Sequence, residues 1–216
     1  MPAFEMKLAL FDLDQTLLDG DTETLWFQYL VKEGYLEVDH LKEHKNFSLD
    51  YEQGVLDFSE YVNFILHPLK EFDLETVQSW RELFLQEEIQ PRLRFQHLLA
   101  EHSEQKHTLV LITATHDFLA DPIGRMLKMD LTLSSKPEIV DGRYTGKVTQ
   151  SCFREGKVEM LEENLNLRGD LAEEIWFYTD SQNDLPLLER SDHPIVVEPD
   201  DRLREIAQNS GWKIIM

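Results

Sequence analysis

The sequence predicts an α/β protein: a doubly wound, mostly parallel sheet with a helical cap inserted after its first strand. Three observations carry that expectation. Short, continuous apolar runs recur, and each stops at a polar cluster, as strands buried on both faces do. Helical patterns separate these runs, so strand and helix alternate. The stretch from Thr22 to Ile89 is far longer than a crossover needs and is itself helical in pattern.

In chain order, Leu8-Ala9-Leu10-Phe11 is the first run and ends at Asp12-Leu13-Asp14. Helical patterns follow over Thr24–Glu33, His40–Lys45, Tyr51–Leu66 and Leu74–Glu88, with turn signals at Gly34, Gly54 and Pro68; Gly54 falls inside the third pattern. Residues 21–90 read as a cap domain that closes over the sheet's active edge, and 1–20 with 91–216 as the core domain. A helix over Arg92–His102 leads into Leu109-Val110-Leu111-Ile112, which ends at Thr113-Ala114-Thr115. Another helix covers Asp117–Leu127, and Asp141-Gly142 signals a hairpin within Lys136–Lys147. A helix over Gly156–Leu165 precedes Ile175-Trp176-Phe177-Tyr178, which ends at Thr179-Asp180-Ser181. Ile195-Val196-Val197 stops at Glu198-Pro199, and a helix over Arg202–Asn209 leads to a last strand at Trp212–Ile215. Ligands of open α/β sheets sit beyond the carboxyl ends of the strands, where this chain puts its acids and hydroxyls.

Composition narrows the function classes. The 216 residues carry 42 acidic against 21 basic side chains, a formal charge of -21, which disfavours nucleic acid and anionic lipid as partners. A single cysteine, Cys152, excludes an intrachain disulfide and a cysteine-based zinc site. Met1–Met6 is too short and polar for a signal peptide, and no apolar run approaches membrane-spanning length, so the expectation is a soluble, cytoplasmic protein. Oligomeric state is not legible.

Two carboxylates, Asp12 and Asp14, stand one residue apart at a strand end, where alternation points both the same way. Crowded carboxylates repel unless a cation compensates them. A second acidic cluster, Asp180-Ser181-Gln182-Asn183-Asp184, ends the third run; it either supplies oxygen ligands suited to Mg²⁺ or caps the helix that follows. The Thr113 hydroxyl is placed to donate to a phosphate oxygen, and Lys157 to neutralise negative charge.

The series Asp12-x-Asp14-x-Thr16, Thr113, Lys157 and Asp180-Ser181-x-x-Asp184 resembles the four motifs of the haloacid dehalogenase superfamily, in order and across nearly the whole chain. The early insertion resembles the cap of the phosphoserine phosphatase-like branch, which also holds histidinol-phosphate phosphatases. The strings Thr113–Phe118, Pro122-Ile123, Cys152–Lys157 and Trp176–Ser181 are similar to that branch too. The resemblance implies a phosphatase acting on a small phosphate ester. Asp12 is then the nucleophile that forms an aspartyl-phosphate, and Asp14 the general acid and base. Thr113 and Lys157 would hold the phosphoryl group. Mg²⁺ would bridge Asp12, the Asp14 carbonyl and Asp180, with Asp184 direct or through water, and would offset the acidity of the protein locally. Many members have Gly at the position of Gln15.

Other residues carry weaker signals. Asp21 stands where the branch places a Glu that meets a substrate ammonium; it either meets an amine or caps the helix from Thr22. His116 is expected to start a helix, Arg154 to lie on the surface, and Cys152 to fill the core. His40 and His44 are expected on an exposed helix face, and Trp26, Phe27 and Tyr29 in the packing of the lid. Phosphoserine and histidinol phosphate are the substrates the branch suggests. Two other readings share the motifs: a phosphotransferase, and a cation-binding regulatory protein without turnover.

Overall fold

The computed structural model describes residues 5–66, 68–70 and 72–216; Met1–Phe4 of the expected core lie outside the described residues. Its strands are β1 (Glu5–Phe11), β2 (Thr108–His116), β3 (Leu131–Val140), β4 (Arg143–Gln150), β5 (Leu171–Thr179), β6 (His193–Val197) and β7 (Lys213–Ile215). They form one sheet in the order β4-β3-β2-β1-β5-β6-β7, parallel throughout except between β3 and β4. β1 is central, with Leu10 opposite Val110 on one side and Phe177 on the other. The chain winds outward from it in both directions, which puts the crevice of a doubly wound sheet at the ends of β1, β2 and β5.

The apolar runs are continuous because both faces of the sheet are covered. Leu8 and Leu10 pack on one side with Met160 and Leu161 of α7 (Glu155–Arg168) and with Leu203 and Ala207 of α9 (Asp201–Ser210). Ala9 and Phe11 point the other way, into a cluster that holds Leu98 and Leu99 of α5 (Gln96–Glu104) and Leu119 and Ile123 of α6 (Asp117–Met126). Burying each such side chain stabilises by about 1.5–3 kcal/mol before entropy is counted.

The insertion is helical as expected: α1 (Thr22–Lys32), α2 (Asp39–Glu52), α3 (Phe58–Leu66) and α4 (Leu74–Phe84). Its Trp26, Phe27 and Phe84 join the same apolar cluster as Phe11 and Leu111, so the insertion is packed onto the sheet. Three boundaries differ from expectation. The Tyr51–Leu66 pattern is broken: Gly54 takes φ +72° after α2, and the Asp57 carboxylate accepts from the backbone N–H groups of Ser59 and Glu60 to begin α3. α4 does not run to Glu88 but passes through a wide turn, Leu85–Ile89, and a tight one, Gln90–Arg92, because Pro91 cannot continue the ladder. α5 starts at Gln96 rather than Arg92, since Phe95 sits at φ +53°.

The hairpin forms where Asp141-Gly142 placed it, both residues at positive φ as a type I′ turn requires. Its first strand extends further than expected. Leu131–Ser134 pairs in parallel with β2 before Lys136–Val140 turns to pair with β4. That half is short and partly polar, so its alternation is a weak signal.

Candidate active site

β1 ends at Phe11, and the Asp12 N–H still donates to the Tyr178 carbonyl, continuing the ladder for one residue. The chain then turns through Gln15, which sits at φ +54° with its N–H bonded to the Gly20 carbonyl. Gly suits such a left-handed position best, which accounts for the residue many relatives of this motif carry there. Asp12 and Asp14 are therefore not successive positions of a regular strand, although both line one cavity of about 920 Å³.

Asp12 is buried, and its Oδ1 accepts from Lys157 Nζ at 2.8 Å. Lys157 Nζ also donates to Asp184 Oδ2 at 2.7 Å, and Thr179 Oγ1 donates to the same oxygen at 2.7 Å. The Asp12 carboxyl is raised to about 6, because burial and then Asp184 lift it by more than Lys157 pulls it down. Burial alone would lower the Lys157 ammonium, but Asp12 and Asp184 outweigh it and hold the side chain charged. Gly156 permits this arrangement, because a Cβ there would stand 2.4 Å from the Ser151 carbonyl oxygen.

Asp14 faces a separate set of donors. Thr22 gives its backbone N–H to Oδ1 at 2.6 Å and its hydroxyl to the same oxygen, while Thr115 Oγ1 donates to Oδ2 at 2.7 Å. Burial, then Asp21 and Asp12, raise the Asp14 carboxyl well above the usual carboxylate range despite these bonds. A carboxyl shifted upward in this way is suited to donate a proton. Thr113 is buried on the same cavity, where its Oγ1 accepts from the Thr115 N–H at 3.2 Å and keeps its own proton to give.

Asp180 lies at the mouth of this group, bonded to Thr16 Oγ1 at 3.2 Å, with its carboxyl raised by burial, Asp12 and Asp184. Among the described residues, no group of three or more His, Cys, Asp and Glu side chains converges as a ready-made metal site. The donor set nevertheless fits a hard cation. Asp12 and Asp184 share one ammonium, Asp180 stands in the field of both carboxylates, and these ligating atoms are all oxygens.

Residues 9–189 match the haloacid dehalogenase-like hydrolase family. The chain belongs to that family. A histidinol-phosphatase of Neisseria meningitidis is 32% identical to this hydrolase over 217 residues, which cover 97% of this chain and 98% of that one. A solved structure of a protein of unknown function from Bordetella pertussis Tohama I is 34% identical, with a TM-score of 0.90 over 98% of this chain and 99% of that chain. A phosphoserine phosphatase solved as an analogue of its phospho-aspartyl intermediate shares the fold, with a TM-score of 0.71 at 20% identity over 98% and 93% of the two chains.

Several residues of the hydrolase stand elsewhere than expected. Arg154 is a tie between core and insertion rather than a surface residue: its guanidinium donates to Asn183 Oδ1 at 3.1 Å and to the Gly54 carbonyl. Asn183 Nδ2 in turn donates to the Tyr51 carbonyl at 3.1 Å, and Tyr51 Oη donates to Ser181 Oγ at 3.1 Å. His44 is buried and lines the cavity, not an exposed helix face; Phe27 and Phe64 cover it, at ring-centroid distances of 5.1 and 6.3 Å. Asp21 caps α1, its Oδ1 accepting from the Thr24 N–H at 2.7 Å and the Thr24 hydroxyl at 2.5 Å, and it lines the cavity as well. His116 does precede α6, but it is buried beside Glu23. Cys152 is core, its thiol pushed up to about 12 by burial. Thr22, Glu23, Thr115, Tyr51 and Tyr61 were not singled out by the sequence. Thr115 had a signal, since it lies two residues past Thr113 at a strand end; the others are set by how the insertion folds back.

Proposed function

We propose that this hydrolase is a Mg²⁺-dependent phosphatase, cleaving a small-metabolite phosphate monoester through an aspartyl-phosphate on Asp12. The observation that carries it is the division of labour between two adjacent carboxyls. Asp12 is held against the Lys157 ammonium, which lowers its carboxyl, and Asp14 against hydroxyls in the field of Asp21 and Asp12, which raise it. An oxygen of ionised Asp12 attacks phosphorus while the ester P–O bond breaks. Asp14 gives its proton to the leaving alcohol oxygen, then takes one from the water that attacks the acyl phosphate, and inorganic phosphate departs. The Lys157 ammonium, with one N–H beyond its two carboxylate bonds, and the Thr113 hydroxyl bind phosphoryl oxygens. Asp12, the Asp14 carbonyl and Asp180 would hold Mg²⁺, with Asp184 direct or through water, and the ion would supply neutralisation of phosphoryl charge.

Residues 21–90 act in this reading as the cap that closes the cavity over the leaving group. The full-length similarity to a histidinol-phosphatase and the acids around the cap side of the cavity support an amine-bearing substrate such as histidinol phosphate or phosphoserine. The test is hydrolysis of p-nitrophenyl phosphate. Activity is expected with Mg²⁺, and to vanish in chelator and in Asp12→Asn. Turnover by Asp12→Asn, or full activity in chelator, would reject the mechanism. Release of inorganic phosphate in the presence of a competing alcohol separates hydrolysis from phosphotransfer.

A further inference from the structure

We propose that Glu23, rather than Asp21, receives the cationic end of the substrate, and that the cavity selects amino-alcohol phosphates lacking a carboxylate. The inference rests on the phosphatase reading above. Asp21 has spent an oxygen on the first turn of α1, where Oδ1 takes both Thr24 donors. Glu23, two residues on, lines the same cavity, is only 3% exposed, and has no hydrogen bond to either carboxylate oxygen. His116 Nε2 lies 3.3 Å from Oε1 without hydrogen-bond alignment, and Glu23 raises the pKa of that ring against its burial, so His116 faces one oxygen while Oε2 has no partner among the described residues. A buried carboxylate with unused lone pairs is costly to the fold unless a ligand supplies the donors.

His44 adds an acceptor beside it. The Ser48 hydroxyl donates its one proton to the His44 carbonyl at 3.2 Å, so the 3.4 Å contact between Ser48 Oγ and His44 Nδ1 has the ring as donor. That tautomer leaves Nε2, which is buried and has no partner, as an acceptor. Burial lowers the His44 pKa, keeping the ring neutral in spite of Asp21 and Glu23. A carboxylate and a neutral imidazole nitrogen together suit the several N–H donors of a primary ammonium, while Phe47, Tyr51, Phe58 and Tyr61 line the cavity with rings against which a flat or cationic group packs.

Nothing comparable awaits a carboxylate. The two basic side chains lining the cavity are Lys45, which is exposed, and Arg94, whose guanidinium is committed to Glu198 at 2.6 Å, to the Thr16 carbonyl at 3.0 Å and to the Gln15 carbonyl. An α-carboxylate would enter among Asp14, Asp21 and Glu23, where the His116 ring is already engaged by Glu23 and, among the described residues, no further fixed and uncommitted cation lines the cavity.

The experiment compares Glu23→Gln with the wild type on three monoesters: L-histidinol phosphate, L-phosphoserine and p-nitrophenyl phosphate, whose leaving group carries neither ammonium nor carboxylate. Wild type is expected to prefer histidinol phosphate to phosphoserine by at least about tenfold in kcat/KM. Glu23→Gln is expected to raise KM for histidinol phosphate about tenfold or more and leave the p-nitrophenyl phosphate constants within about twofold, the split a lost charged contact predicts. Glu23→Asp, which keeps the charge, should fall between them. Calorimetric binding of L-histidinol itself, lost in Glu23→Gln, tests the same site without turnover. Equal effects on all three esters, or undiminished histidinol binding by Glu23→Gln, would overturn the proposal. A wild type that binds histidinol yet hydrolyses none of the esters would instead reject the phosphatase reading and leave the cation site standing.

Discussion

The two ends of the cavity treat buried charge in opposite ways. At the core end, Asp12, Asp184 and Lys157 compensate one another through bonds of 2.7–2.8 Å. At the cap end, Glu23 and the Nε2 of His44 are equally buried and, among the described residues, have no hydrogen bond, Glu23 keeping only its 3.3 Å contact with His116. The first arrangement is built to survive without a ligand and to hold reacting atoms still. The second is completed by what binds, which is how a site spends stability on recognition.

The contrast can be broken from the core end first. Lys157→Ala leaves two buried carboxylates without their cation, so activity should fall by at least about 10³-fold and stability by about 3–5 kcal/mol. Denaturant titration reads the second number, and a variant as stable as wild type would show the pair to be dispensable. Glu23→Gln should by contrast cost less stability than Lys157→Ala, since it removes a single charge contact, with His116, and no hydrogen bond.

The same logic fixes a sign for pH. The folded-state carboxyl of Asp12 is raised to about 6 from 3.8, so the folded protein binds this proton more tightly than the unfolded chain. Its contribution therefore favours the fold below about pH 4 and is lost as pH rises through about 6, a change of about 3 kcal/mol. Asp14 and Asp180 are shifted in the same direction. Wild type measured against Asp12→Asn in chelator should lose relative stability from pH 4.5 to 7, and Mg²⁺ should restore it. A difference that grows with pH would contradict this account.

Arg154 joins the two ends, tying the Asn183 loop to the Gly54 turn. Arg154→Lys keeps the charge but loses the fork, and should cost about 1–2 kcal/mol while raising KM more than it lowers kcat. The smallest effect is expected at Gln15. Gln15→Gly relieves a left-handed backbone at φ +54°, offsetting the entropy Gly adds to the unfolded chain, so stability should change by less than about 1 kcal/mol and the aryl phosphatase rate should be kept.

Much of the core end was legible in the chain because it depends on local order. Apolar runs buried on both faces announce a parallel sheet, and Asp12, Thr113 and Asp180 inherit their place from its strand ends, while Lys157 was named from the order of motifs that resembles the superfamily's. Asp57 and Gly54, which split the expected third helix, also had local signals, in a cap and a positive φ. The cap end is different. His44 looked like one of two exposed histidines at helical spacing, and Glu23 like an ordinary first-turn acid, because period alone does not say which face of an inserted helix the sheet will cover. Only the packing of Trp26, Phe27 and Phe84 into the same cluster as Phe11 and Leu111 turned that face inward and sealed Glu23 and His44 from water. The sequence by itself determined the sheet and where its strand-end acids and hydroxyls gather, since each follows from the order of the apolar runs. The tertiary structure decided which acids are satisfied and which remain open, because hydrogen-bond satisfaction depends on partners distant in the chain.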